Sequence, residues 1–223
     1  MKAIKNSFGN SQITVKRNRY VPQPAWEVAM LFPEQGDWSA EDYLSLPGNH
    51  LVELSDGCLE VLPMPTPLHQ WIVFYLCRLI DDFASRNRLG QVLPAPLPVQ
   101  LWSGKFREPD VVFKLRKSRH RAGTKFWEGA DLVIEVVSDD PEARRRDLIA
   151  KRAEYAKAGI SEYWIVDQQR KQITVLFLQG QKYVVHGTFK SGQQARSRLL
   201  RGFEVDVTAV FTSPWEGDAH NEN

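Results

Sequence analysis

Between residues 68 and 83 the apolar positions Leu68, Trp71, Ile72, Tyr75, Leu76, Leu79, Ile80 and Phe83 recur at helical spacing. This predicts one long amphipathic helix, closed by Gly90. Elsewhere the pattern is that of strands. Asp131 to Ser138 is a short apolar run rich in β-branched residues, which predicts a strand covered on both faces. Alternation along it places Asp131, Val133, Glu135 and Val137 on one face and Leu132, Ile134 and Val136 on the other. Glu135 is then an acid short of water. An unpaired buried carboxylate costs several kcal/mol, so a Lys, an Arg or a metal ion is expected beside it.

The flanking signals organise the rest. Asp140-Pro141 opens a predicted helix over 141–158, with Asp140 as N-cap, Pro141 at the first helical position and Gly159 past the end. A strand at 162–167 follows. Strand, helix and strand in that order imply a parallel pair inside a mixed sheet, and an α+β fold overall. Upstream, Ser39 caps a short helix with Asp42 in a capping-box position. Asp56-Gly57 between two apolar runs predicts a hairpin. Short strands are expected at 91–93, 97–102 and 109–113, with the prolines of this region marking a sheet edge. Two more, about 171–178 and 181–188, meet at Gln179-Gly180, and a short helix near 206–211 precedes a polar tail. The expected division is a basic extension over 1–37, one domain over 38–212 and a tail over 213–223.

Composition narrows the classes. The 223 residues are 43% hydrophobic and 25% charged, as in an ordinary globular domain, and the net charge of +2 is too small to argue for nucleic acid by itself. Cys58 and Cys77 lack metal-type spacing and read as buried free thiols of a reducing, cytoplasmic setting. No signal peptide is visible. The apolar segment 68–83 is broken by Arg78, Asp81 and Asp82 and is too short to span a bilayer, so no membrane role is expected.

Four residues stand out as chemistry: Glu53 on the hairpin, Asp110 after Pro109, Glu135 in mid-strand and Lys151 on the crossover helix. Two carboxylates from neighbouring strands suit Mg²⁺, which takes a few protein oxygens and keeps several waters. A nearby ammonium stabilises charge on a phosphoryl transition state. The residues alone leave other roles open. Asp110 also suits a turn cap, Glu135 a core ion pair, Lys151 an i,i+4 pair with Asp147, and Glu53 a cross-strand pair.

Pro109-Asp110 followed by Glu135-Val136-Val137 resembles the motif of the PD-(D/E)XK nuclease superfamily. The wider chain is similar to a bacterial group of restriction-endonuclease-like proteins. The matching stretches are Glu53 to Gly57, Thr66 to Gln70, Arg107 to Val112, Leu132 to Ser138, Arg146-Asp147 with Lys151, Tyr155 to Asp167, and Gly202 to Asp206, covering roughly residues 38–212. The resemblance implies a restriction-endonuclease-like fold, a central mixed β-sheet flanked by helices. It also implies a Mg²⁺-dependent DNA endonuclease, with Mn²⁺ as a substitute ion. The superfamily's lysine two residues after the acid is Val137 here, and the resemblance implies a relocated lysine, matched by Lys151. Asp110, Glu135 and the Val136 carbonyl would then hold metal and Glu53 would assist. His69, Gln70 and Tyr155 are secondary candidates. By analogy, relatives suggest a homodimer.

Two basic clusters bear on the substrate. Residues 114–125 carry Arg116, Lys117, Arg119, Arg121 and Lys125 with no acid, and Arg144, Arg145 and Arg146 sit at the unfavourable end of a helix dipole. Phosphate contact accounts for both, although solvated loops carry such runs too. The alternative reading is an inactive nuclease-fold protein that binds nucleic acid or a partner protein. A further one is hydrolysis of another phosphate ester. Neither a Gly-rich nucleotide loop nor zinc-ligand spacing is present.

Overall fold

A computed structural model describes residues 33–46, 51–137 and 140–212, apart from the side chains at 120, 142 and 143. Most of the expected N-terminal extension and the whole C-terminal tail lie outside the described residues. Residues 35, 36 and 38 hydrogen-bond to Gly57 and Leu59 of the first hairpin.

The chain order is α1 (Ala40–Leu44), β1 (Val52–Ser55), β2 (Cys58–Val61), α2 (Pro67–Arg86), β3 (Gly90–Pro94), β4 (Val99–Trp102), β5 (Lys105–Arg107), β6 (Val111–Leu115) and a 3₁₀ turn (Arg116–Arg121). It continues through β7 (Trp127–Glu128), β8 (Leu132–Val137), α3 (Pro141–Arg145), α4 (Lys151–Lys157), β9 (Glu162–Asp167), β10 (Gln172–Gln179) and β11 (Lys182–Lys190). The last elements are β12 (Gln194–Arg196), β13 (Glu204–Asp206) and α5 (Val207–Val210). The main sheet has the order β11-β10-β9-β8-β6-β3, with β8 and β9 parallel and the other pairs antiparallel. A second sheet, β2-β1-β5-β4-β7, carries the hairpin.

The expected alternation of β8 holds. Leu132, Ile134 and Val136 join Ile72, Leu76 and Ile80 of α2 in one core, and Val133 and Val137 join Tyr155 and Ala156 of α4 in another. Glu135 shares parity with the second set, so the sheet aims it toward α4. Ser39 caps α1 with the reciprocal Asp42 bonds. Asp56 and Gly57 both take positive φ, as the tight hairpin turn requires. As the prolines suggested, β3 lies at the sheet edge.

The strands β5, β7, β12 and β13 carry no signal in the sequence reading, and three of its expectations come out differently. Gly90 does not close α2, which ends at Arg86 with Asn87 as its cap; Gly90 starts β3, where a Cβ would come within 2.1 Å of the Lys114 carbonyl. The helix over 141–158 is not continuous. Residues Arg146–Ala150 form a wide turn in which the Lys151 N–H reaches the Arg146 carbonyl, five residues back. Such wide turns cost regular hydrogen bonding and cluster at functional sites. Cys58 and Cys77 are free, as expected, but only partly buried. No described helix is long and apolar enough to cross a membrane.

Candidate active site

Asp110 precedes β6, whose antiparallel register pairs Val111 with Ile134 of β8. One step back along β6 is one step forward along β8, so Asp110 comes opposite Glu135. The Asp110 Oδ2 accepts the Val136 N–H at 2.7 Å, which fixes the contact. Both carboxylates line a cavity of about 220 Å³ together with His69, Glu108, Asp147 and Lys151.

Lys151 is the centre of charge. Its Nζ lies 3.0 Å from Glu135 Oε1, 3.2 Å from Glu53 Oε1 and 3.6 Å from Asp147 Oδ1. Burial works against the ammonium, but Glu135, Glu53 and Asp147 outweigh it and raise its pKa, so it stays charged. The wide turn before α4 places Asp147 and Lys151 on the same side, one turn apart. Tyr155, one turn further on, donates to Glu135 Oε1 at 2.5 Å. The cation demanded by Glu135 is therefore Lys151, and the i,i+4 contact with Asp147 forms as well.

Glu53 sits behind this centre. It is fully buried, does not line the cavity, and both its oxygens are taken: Oε1 by Lys151 and the Glu108 N–H at 2.8 Å, Oε2 by Arg107 at 2.9 Å. Burial would raise its carboxyl, yet Lys151 and Arg107 prevail and hold it at about 2. Its geometry is that of an anchor for Lys151, set behind the cavity in which it was expected to assist.

The acids that do face the cavity behave oppositely. Burial raises the Glu135 and Asp147 carboxyls, and Lys151 only partly offsets it. Burial likewise pushes Glu108 up to about 7, despite a 2.9 Å bond from the Tyr43 hydroxyl. Neighbouring carboxylates add to the rise in each case. The cluster thus holds more carboxyl groups than its own cations keep ionised. Glu108 was inside a matching stretch, Arg107 to Val112, but no periodicity set it apart.

His69 enters from the first turn of α2, where the Thr66 side chain accepts its N–H at 3.1 Å. Its Nε2 stands 3.3 Å from Asp110 Oδ1, and its Nδ1 is buried without a hydrogen-bond partner. Burial opposes protonation, but Asp110 overcomes it and raises the imidazole pKa. Gln70 also lines the cavity.

The basic residues divide. Arg144 is engaged by Asp167, an ion pair that gives its place in the helix a local reason. Arg146 lines the cavity, and its Nε is buried without a hydrogen bond. With Arg145 it also borders a wider adjoining cleft. Arg116, Lys117, Arg119, Arg121 and Lys125 are exposed and lie beyond the far end of β6 from Asp110.

Among the described residues no three His, Cys, Asp or Glu side chains form a ready-made metal cage. The donors of Asp110 and Glu135 and the Val136 carbonyl are hard oxygens, the kind that Mg²⁺ binds while keeping several waters. The surplus of raised carboxyls fits an added cation.

Comparison with known proteins bears on this arrangement. No curated protein matches the chain. Among solved structures, a crystal structure titled "putative nuclease belonging to DUF820" from Anabaena variabilis ATCC 29413 superposes with a TM-score of 0.64 at 16% identity, covering 78% of this chain and 97% of that one. This likeness speaks to the fold, a mixed α+β architecture of the restriction-endonuclease-like kind. A family model described as "Uma2: Putative restriction endonuclease" matches residues 40–208. That span takes in the hairpin, Asp110, Glu135 and the crossover helix, and the chain belongs to the Uma2 family.

Proposed function

We propose that this protein is a divalent-metal-dependent nuclease that hydrolyses DNA phosphodiester bonds. The observation that carries the reading is the meeting of Asp110, Glu135 and Lys151 in one cavity, with more carboxyl groups than the cations there keep ionised. Asp110, Glu135 and the Val136 carbonyl would hold Mg²⁺ or Mn²⁺. A cation held there supplies Lewis-acid activation of water and offsets charge at phosphorus.

The chain's own residues supply the rest. Glu53, Glu135 and Asp147 fix the Lys151 ammonium at the cavity wall, where it stabilises charge on the phosphoryl oxygens. Tyr155 orients Glu135, and the Val136 N–H and His69 orient Asp110. Arg145 and Arg146, at the cleft that adjoins the cavity, supply cations for the DNA backbone.

The test is cleavage of supercoiled plasmid with Mg²⁺ or Mn²⁺. Asp110→Ala and Glu135→Ala are each expected to abolish it, and full-rate cleavage by either variant overturns the assignment. A second reading, an inactive relative that binds without cutting, draws on Lys151 being held by three carboxylates. Calorimetry separates the two: heat of Mn²⁺ binding that is lost in Asp110→Ala favours the enzyme, and no uptake at millimolar metal favours the inert protein.

A further inference from the structure

A second cavity, of about 240 Å³, opens at the end of β6 remote from Asp110. Arg88, Lys114, Arg116 and Arg119 line it, along with Trp127 and the last turn of α2, and no carboxylate does. Five arginines elsewhere, Arg86, Arg107, Arg144, Arg170 and Arg196, each reach an acid, whereas others such as Arg78 and Arg198 lie over aromatic rings. Arg88, Arg116 and Arg119 reach none among the described residues.

Lys114 makes the imbalance sharper. It is only 3% exposed, and two of its three N–H donors go to neutral acceptors, the carbonyls of Glu128 at 2.9 Å and Gly129 at 2.8 Å. Its ammonium lies 5.3 Å from the Trp127 ring centre. Burial, aided by Arg121, lowers its pKa to about 8. A buried ammonium with no carboxylate in hydrogen-bond reach is costly, and the nearby Arg121 repels it further while Asp131 and Glu128 offset only part of this. A multiply charged anion relieves both.

Placement says which anion. Asp110 and Lys114 stand four residues apart along one strand and share a face. At 3.3 Å per residue that is about 13 Å, the straight-line separation of phosphates about two steps apart on one duplex strand, since the backbone winds around the axis as it rises 3.4 Å per step. The cavity has room for a phosphate and its adjoining sugar, and guanidinium groups are suited to phosphate oxygens. We propose that this cavity anchors one backbone phosphate of the DNA, about two nucleotides from the phosphodiester bond that faces Asp110 and Glu135. The proposal rests on the nuclease reading and adds to it a fixed register between a cutting site and a holding site.

The test is fluorescence anisotropy of a labelled duplex across a salt series in metal-free buffer. The double variant Arg116→Ala/Arg119→Ala is compared with Lys182→Ala/Lys190→Ala, which removes equal charge from exposed positions on β11 outside the cavity. The cavity variant is expected to lower the slope of log affinity on log salt by about 1 and the control to leave it nearly unchanged. A scan of single neutral methylphosphonate linkages should show one position that weakens the wild type about tenfold and leaves the cavity variant unaffected. Equal slopes in the two variants, or no variant-dependent position in the scan, overturn the anchor. Binding of inorganic phosphate or a mononucleotide that Arg116→Ala/Arg119→Ala abolishes, with duplex affinity unmoved, assigns the cavity to a small ligand and also overturns it. Failure of the nuclease reading shows separately, as plasmid cleavage that survives Asp110→Ala.

Discussion

Two buried glutamates on adjacent strands illustrate how a structural acid differs from a chemical one. Glu162 opens β9 and is fully buried, yet it faces no lining cation. Its two oxygens accept from Trp164 Nε1, Ser197 Oγ and the N–H groups of Arg198 and Leu199, at 2.7 to 2.8 Å. Neutral donors saturate it, and the loop over 197–200 is tied to the sheet in return. Glu135, one strand away on β8, is 3% exposed and has Lys151 and Tyr155 on a single oxygen. Asp110, Asp147 and Glu53 crowd it with like charge, and burial raises its pKa. Equal burial therefore has opposite meanings. A carboxylate with a full donor set holds the fold together, whereas one left in surplus beside a cavity is available to a ligand.

Substitutions should separate the two. The largest effect expected is on activity: Glu135→Gln should reduce metal-dependent plasmid cleavage about 10³-fold, with the melting temperature unchanged or raised, since a carboxyl whose ionisation burial opposes is replaced by a neutral amide. A variant that unfolds instead would place Glu135 with Glu162. Next is Glu162→Ala, which strands four donors. It should cost about 3 kcal/mol in chemical denaturation, while the folded protein keeps its cleavage rate per molecule. Loss of rate without loss of stability would break the comparison.

Third is acid stability. The folded Glu53 carboxyl, at about 2, lies below its ordinary 4.5, so the stability it adds is complete above pH 4.5 and is lost as the pH falls toward 2. Unfolding free energies measured over that window should fall by up to about 3 kcal/mol, and Glu53→Gln should flatten the profile while lowering stability at neutral pH. A profile in Glu53→Gln as steep as the wild type's would refute the anchor role. The smallest effect expected is that of Tyr155→Phe. Losing one donor to Glu135 should cost about 1 kcal/mol and slow cleavage by about tenfold. An unchanged rate would mean that Lys151 alone positions the carboxylate.

Much of this was legible in the chain. The alternation of β8, the turn at Asp56-Gly57 and the cap at Ser39 are local consequences of side-chain period, φ preference and nearby donors. Order and spacing marked Asp110, Glu135 and Lys151 as candidates, and the resemblance to the nuclease superfamily supplied the roles expected of them. The cation beside Glu135 followed from the cost of a bare buried charge.

Other features had no local signal. The wide turn at Arg146–Ala150 arises inside a stretch with ordinary helical content, and Glu108 looks like any acid in a loop. Glu53 stood out as a candidate, but its partners come from β5, the loop after it and α4, far apart in sequence. The four cations of the second cavity gather from the residues after α2, from β6 and from the 3₁₀ turn. Sequence determined which strands and helices form and which acids they carry, because periodicity and capping act within a few residues. Tertiary structure alone decided which charges are satisfied and which are in surplus, because that balance is struck between residues that meet only when the sheet has assembled.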